Sequence, residues 1–221
     1  MSFKFKHFKI EDDISSMKVG TDAVILGAWA SHDAPTDILD IGTGSGLIAL
    51  MMAQRFQKAR VLGLDIHKAS IQQAKKNFRY SPWESSLSAR HISLQEFADS
   101  ASTGFDLIVS NPPFFSHSLL SPDPRKALAK HNRHLSFAEM AKHVRKLLNP
   151  GGLFSLILPA NVSDDFEAIA EQAGLFKTKE LNIIPVKGKS ANRTVSTWSL
   201  QSACLETHSL HIRMDSRHYS K

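Results

Sequence analysis

The stretch Asp37-Ile38-Leu39-Asp40-Ile41-Gly42-Thr43-Gly44-Ser45-Gly46 decides the fold. Residues 37–41 form a short apolar run of strand length, and residues 47–56 behind the glycines carry helical spacing. Glycines at this junction let the chain turn tightly and let its backbone approach a ligand that a Cβ would exclude. The helix N-terminus that follows supplies unpaired N–H groups and a partial positive charge. A dinucleotide fingerprint has the form Gly-x-Gly-x-x-Gly, but here the sixth position is Leu47 and the third glycine comes one residue early. That spacing argues against NAD. No Gly-Lys-Ser/Thr follows, so a P-loop is excluded as well.

Outward from this loop, apolar runs alternate with helical patterns. Strands are expected over 60–65, 90–94, 105–110, 153–158, 181–185 and 194–200, which with 37–41 makes seven. Helices are expected over 68–79, 137–148 and 164–173, the second closed by Asn149-Pro150-Gly151-Gly152 and the third by Gly174. The alternation predicts an α/β protein: a doubly wound, mostly parallel, seven-stranded Rossmann-like sheet with helices on both faces. Asp65 ends the second strand in Gly63-Leu64-Asp65-Ile66, where an acid can accept both hydroxyls of a ribose. A glycine loop alone also admits the plainer reading of a helix cap with a tight turn. Asp65 at this topological position tips the reading to a cofactor site.

A second motif follows the strand at 105–110. In Ser110-Asn111-Pro112-Pro113-Phe114, each proline forces extended geometry on the residue before it, and neither has an N–H. Asn111 Oδ1 and the Pro112 carbonyl are then two acceptors at a fixed separation, with the Phe114 ring beside them. Such a slot suits a planar group carrying –NH2. The plainer alternative is a rigid turn in which Asn111 caps its own backbone.

Composition narrows the class further. The chain has 221 residues, 42% hydrophobic and 22% charged, which fits a single folded domain rather than a disordered chain or a fibre. The longest apolar stretch, residues 23–30, is far short of a membrane span. One cysteine, Cys204, allows no intrachain disulfide and suits a reducing compartment, and the eleven histidines show no metal spacing. The net charge of +6 suits a polyanionic partner. Two basic, turn-rich stretches lie where a doubly wound sheet has its working edge. One carries Arg125, Lys126, Lys130 and Arg133; the other carries Lys187, Lys189 and Arg193. Both are candidates for RNA-backbone contact, against the alternative of solvated loops. Trp29 and Trp83 are expected to fill core.

Asp-Ile-Gly-Thr-Gly-Ser-Gly, Asp65 and Ser-Asn-Pro-Pro-Phe together resemble the S-adenosylmethionine-dependent class I methyltransferases that methylate amino groups. Residues 5–30 are more specific. Their core, Met17-Lys18-Val19-Gly20-Thr21-Asp22-Ala23-Val24-Ile25-Leu26-Gly27-Ala28-Trp29-Ala30, is similar to the N-terminal signature of bacterial tRNA(Val) adenine N6-methyltransferases. Ser81-Pro82-Trp83 and Leu158-Pro159 match the same family, with the likeness thinning after Leu158.

The resemblance implies methylation of the N6 amine of adenine 37, beside the anticodon of tRNA(Val), with S-adenosylmethionine as cofactor. It places Lys18, Thr21 and Asp22 at the cofactor's amino-acid end, and Asp40, Gly42, Thr43, Gly44 and Gly46 around its methionyl part. Asp65 and Ile66 would serve the ribose side, and Asn111, Pro112, Pro113 and Phe114 the target adenine. Where the family usually has an acid near the cofactor adenine, this chain has Ser93, whose hydroxyl can bond the exocyclic amine while the Leu94 N–H serves the ring. It further implies a cytoplasmic monomer with no metal and no membrane attachment. Residues 1–34 would be a cofactor-covering extension and 35–221 the catalytic core, ending at Tyr219-Ser220-Lys221 where relatives continue through another helical segment. Protein glutamine N5-methylation and ribosomal RNA guanine N2-methylation use similar slots and are the enzyme alternatives. A cofactor-binding RNA chaperone without turnover is the alternative outside the enzymes.

Overall fold

A computed structural model describes residues 2–14, 19–112, 135–214 and 220. Its centre is an eight-stranded sheet of order β10-β8-β9-β7-β6-β3-β4-β5, formed by β3 (Asp37–Ile41), β4 (Arg60–Asp65), β5 (Leu87–His91), β6 (Phe105–Ser110), β7 (Leu148–Pro159), β8 (Phe176–Val186), β9 (Arg193–Ser199) and β10 (Glu206–Arg213). All pairings in it are parallel except those of β9 with β7 and β8. The helices are α1 (Thr21–Trp29), α2 (Leu47–Arg55), α3 (Lys68–Arg79), α4 (Leu94–Ser100), α5 (Phe137–Leu147) and α6 (Ala160–Gln172). A separate N-terminal hairpin pairs β1 (Ser2–Lys4) with β2 (Lys9–Glu11).

Successive residues of a strand face opposite sides, and the central strands are apolar on both, so two cores form. Ile38, Leu107 and Val109 pack toward α1, α2 and α3, whereas Leu39, Ile41 and Ile108 pack with Phe97, Met140 and Phe166 of α4, α5 and α6. The chain runs from β3 outward through β4 to β5 and then returns to β6 on the other side of β3. The carboxyl ends of β3 and β6 therefore flank the switch point, where open α/β sheets carry their ligands.

Three expectations change. The sheet has an eighth strand, β10, which pairs parallel with β8 from Glu206 to Arg213. It lies at the sheet edge with its first half exposed, so its residues carry no apolar run for a pattern to detect. The strand expected at 90–94 lies at 87–91, and Leu94 instead opens α4. The Ser93 hydroxyl accepts from Glu96 N and the Glu96 carboxylate accepts from Ser93 N, a capping box that starts this helix. The helix expected at 164–173 begins earlier, at Ala160.

Asp106 ties the amino-terminal side of the sheet together. Its Oδ2 accepts from Thr36 N at 2.8 Å, Thr36 Oγ1 at 2.8 Å and Asp37 N at 3.2 Å, and its Oδ1 from Asn149 Nδ2 at 2.7 Å. Burial acts to raise its pKa, but the donors from Asn149, Thr36 and Asp37 outweigh burial and hold it at about 2. A depressed carboxylate stabilises the fold above its unfolded value and loses that contribution as pH falls through the folded one. The Asp106 contribution is thus complete above about pH 4 and lost by about pH 2. Asp106→Ala is expected to cost roughly 2 kcal/mol at neutral pH and to remove this acid-side loss, as denaturant titrations at pH 7 and pH 3 will measure.

Candidate cofactor and active site

The glycine loop leaves β3 with its backbone held from β4. Gly42 N and Thr43 N both donate to the Leu64 carbonyl at 2.9 Å, and Gly44 N donates to Asp65 Oδ2 at 3.0 Å. Asp65 Oδ1 accepts from His67 N at 2.8 Å. Each Asp65 oxygen therefore holds one backbone N–H and keeps further lone-pair sites for a ligand hydroxyl. Below the loop, Thr43 Oγ1 donates to Asp40 Oδ2 at 2.7 Å. Asp40 is fully buried, and that burial pushes its pKa up to about 7, against the pull of Thr43. It does not reach the cleft and acts by orienting Thr43.

Two glycines of the loop have different reasons to be there. Gly42 has φ +73° and lines the glycine-loop cleft, and a Cβ built on it would meet nothing within 4 Å. Gly46 has φ +86°, and a Cβ there would lie 2.5 Å from the Phe78 ring of α3. The first leaves room for a ligand; the second lets α2 pack on α3.

One cleft gathers Gly42, Thr43, Gly44 and Ser45 of the loop, Ile48 of α2, Val19 and Ala23 at the start of α1, and Asn111 after β6. Ser110, fully buried, donates to the Ile41 carbonyl at 3.0 Å and stitches β6 to β3 just before Asn111. Asn111 is itself buried, and its Oδ1 has no hydrogen-bond partner among the described residues. A buried amide oxygen left unpaired costs free energy unless something else donates to it. Of the buried polar atoms without a partner among the described residues, it is the one whose residue lines this cleft.

The remaining expected residues divide by place. Ile66, one residue beyond Asp65, is 47% exposed, an apolar side chain set at the rim. The Ser93 hydroxyl donates to Glu96 Oε2 at 2.8 Å, so its single hydrogen is directed at the acid three residues on, and Leu94 is buried in the first turn of α4. Thr21 and Asp22 do not line the glycine-loop cleft; they face a second cleft, with Asp22 Oδ2 bonded to Arg193 Nε at 2.9 Å. Lys187 and Lys189 are exposed on the turn between β8 and β9. Lys18, Pro113, Phe114, Arg125, Lys126, Lys130 and Arg133 lie outside the described residues. The sequence reading missed Ser45 and the apolar wall of Val19, Ala23 and Ile48, whose only signal is adjacency to the motifs. It also missed Asn77, whose Nδ2 donates to the Ser45 carbonyl at 2.7 Å and the Glu11 carbonyl at 2.8 Å, tying loop to hairpin. Among the described residues no group of His, Cys, Asp or Glu is placed to hold a metal ion. No helix among them is long and apolar enough to cross a membrane. Trp29 and Trp83 are half-buried against the core, and Cys204 is exposed.

A family model described as a methyltransferase domain matches residues 32–202. Solved structures agree on the fold: a predicted O-methyltransferase from Agrobacterium tumefaciens superposes with a TM-score of 0.68 at 18% identity, covering 90% of this chain and 92% of that one. TrmN from Thermus thermophilus superposes with a TM-score of 0.57 at 19% identity over 80% of this chain and 47% of that one. These likenesses carry the fold alone. At the sequence level, a tRNA1(Val) (adenine(37)-N6)-methyltransferase of Bacteroides fragilis is 41% identical over 209 residues, 92% of this chain and 86% of that protein. Its namesake from Pseudoalteromonas translucida is 36% identical over 99% of this chain and 93% of that protein. The chain belongs to the family of tRNA1(Val) (adenine(37)-N6)-methyltransferases.

The two glycines give a paired expectation. Gly42→Ala carries only the left-handed backbone penalty of about 1–2 kcal/mol, but its methyl enters the cleft and abolishes ligand binding there. Gly46→Ala adds a collision with Phe78 and is expected to cost roughly 3 kcal/mol or more. Calorimetric titration with S-adenosylhomocysteine and denaturant unfolding of both variants check the contrast.

Proposed function

We propose that this protein methylates the N6 amine of an adenine in tRNA, adenine 37 beside the anticodon of tRNA(Val), using S-adenosylmethionine. The observation that carries the reading is the buried, unpartnered Oδ1 of Asn111, a residue that lines the cleft opened by the glycine loop. The names of the relatives support the choice of nucleotide. A cytoplasmic monomer belongs to the same proposal, as does the role of residues 1–34 as a cover over the cofactor within one catalytic domain.

The residues fit the cofactor. Gly42 leaves space that a Cβ would fill, Thr43 and Gly44 present backbone, Val19 and Ala23 close the far side, and Asp65 keeps lone pairs for ribose hydroxyls. Exposed Ile66 suits the face of the cofactor's adenine, with Ser93 and Leu94 at that ring's edge. When bound, the cofactor supplies an electrophilic methyl group on a sulfonium.

The amine of adenine is a poor nucleophile because its lone pair is delocalised into the ring. Asn111 Oδ1 and the Pro112 carbonyl accept its two hydrogens, which favours pyramidal nitrogen and stabilises the positive charge that develops on it. Phe114, outside the described residues, is assigned to the face of the base by the family resemblance alone. No strong base is required, because the nitrogen becomes acidic as it is alkylated. The protein otherwise aligns the reactants, a contribution of up to about 7–11 kcal/mol. A base inside a stack cannot enter the slot, so the target adenine is taken from a loop or flipped out.

Transfer of labelled methyl to unmodified tRNA(Val) transcript tests the reading. Asn111→Ala is expected to lower turnover by about a hundredfold or more while S-adenosylhomocysteine affinity stays within about twofold by calorimetry. An Asn111→Ala enzyme with wild-type turnover would overturn the acceptor-pair mechanism, and a wild-type protein inert on every tRNA would overturn the assignment.

A further inference from the structure

A second cleft, of about 350 Å³, opens on the other face of α1. Ala23 looks into the glycine-loop cleft, whereas Thr21, Asp22 and Ile25 look into this one, so the first turns of α1 are the wall between the two. The floor is aliphatic, built from Ile25 together with Ile183 and Ile212 at the ends of β8 and β10. The rim is polar and basic: Asn192, Arg193 and Arg213 line it, and Lys187 and Lys189 stand exposed on the adjoining turn. In the lining itself the charged residues among those described are Arg193, Arg213 and Asp22, the last bonded to Arg193.

The rim is built rather than loose. Arg193 Nε donates to Asp22 Oδ2 at 2.9 Å across the cleft wall. Lys187 N donates to the Arg213 carbonyl at 3.0 Å, and Asn192 N to the Ile183 carbonyl at 3.0 Å, fixing the turn to β10 and to β8. Arg193 pairs with Pro159 at the carboxyl end of β7, and β7 lies beside β6, whose end carries Asn111. By the order of the sheet, Arg193 lies two strand spacings from Asn111, roughly 10 Å, and Ile183 and Ile212 of the floor lie three and four away, roughly 14 and 19 Å. The near rim is within reach of the phosphate beside the target, and the floor is within reach of a base splayed away from it.

We propose that this second cleft receives the nucleotide adjoining the target adenine in the RNA. Its base lies on Ile25, Ile183 and Ile212 with its edge toward Asn192 and Thr21, and its backbone phosphate lies at Arg193 and Arg213. An aliphatic floor accepts the flat face of any base, and a cationic rim matches the phosphate that an RNA substrate must bring. The inference rests on the tRNA-methylation reading and adds to it the site that holds the substrate next to the reacting base. It also gives Arg213 a part that neither motif nor charge run indicated.

The test uses the full chain and an anticodon stem-loop RNA containing the target adenine. This RNA is compared with two versions that are abasic at the nucleotide on the 5′ or the 3′ side. For the wild type, one abasic RNA is expected to raise KM about tenfold, the low end for loss of one stacked base. Ile25→Trp, which fills the cleft, is expected to raise KM similarly with intact RNA and to show no further rise with the abasic one. Arg213→Gln is expected to raise KM and to lower the salt slope of RNA binding by about 0.7–0.9, with Arg213→Lys restoring both. For all variants, kcat and S-adenosylhomocysteine affinity should stay within about twofold, which also shows that they fold. Additive losses for Ile25→Trp and the abasic RNA overturn the proposal, as does an unchanged KM in Arg213→Gln. In either case wild-type methylation of intact RNA leaves the tRNA reading standing; its absence overturns that reading instead.

Discussion

The hold of β4 on the glycine loop is the constraint on which the site depends. One carbonyl, Leu64, accepts from two successive amides, and one carboxylate, Asp65, takes the next available N–H at Gly44. With these amides anchored from a neighbouring strand, the loop holds Gly42, Gly44 and Gly46 at positive φ. A preformed loop spares a ligand the ordering entropy of shaping it. Asp65 consequently has two parts. Removing its side chain would free Gly44 N and His67 N as well as any ribose hydroxyl, so only an isosteric change to Asn separates clamp from ligand contact.

The same economy runs down to Asp40. An acid sealed in the core is costly when charged, and burial holds its pKa near neutrality rather than in the usual carboxylate range. Its return is the orientation of Thr43, whose hydroxyl is turned inward while its backbone faces the cleft. Ser110 does the corresponding work across the switch point, joining β6 to the Ile41 carbonyl. Asn111 can then stay buried with its acceptor unpaired. A buried amide oxygen without a donor costs free energy, which rigid surrounding strands can sustain and a bound donor would relieve.

Legibility in the sequence followed burial. Strands β3, β4, β6 and β7 are covered on both faces, and their apolar runs announced them; the glycine spacing and the prolines after Asn111 announced the cleft. The edges were dim. β10 presents His208 and Ser209 to solvent and shows only Leu210 and Ile212 as apolar, and β5 buries only Ala89. At α4 a capping box was written as Ser93-Leu94-Gln95-Glu96, a helix start that a search for apolar runs passes over, and the Ser93 hydroxyl holds Glu96 there. Asn77 was out of reach for a different reason. Its partners, Glu11 and Ser45, lie 66 and 32 residues away in sequence, and a lone asparagine on a helix says nothing of what it will meet.

α1 then takes on a meaning its sequence does not suggest. It is short, it has no side-chain cap at Gly20, and its apolar residues are spread around it rather than gathered in one stripe. A helix apolar all round is one enclosed from several sides. Leu26 and Gly27 face the core, Ala23 faces the glycine loop and Ile25 faces the second cleft, while Asp22 reaches Arg193. One short helix is therefore a wall shared by both clefts, and its fixed seat on the core sets the shape of each.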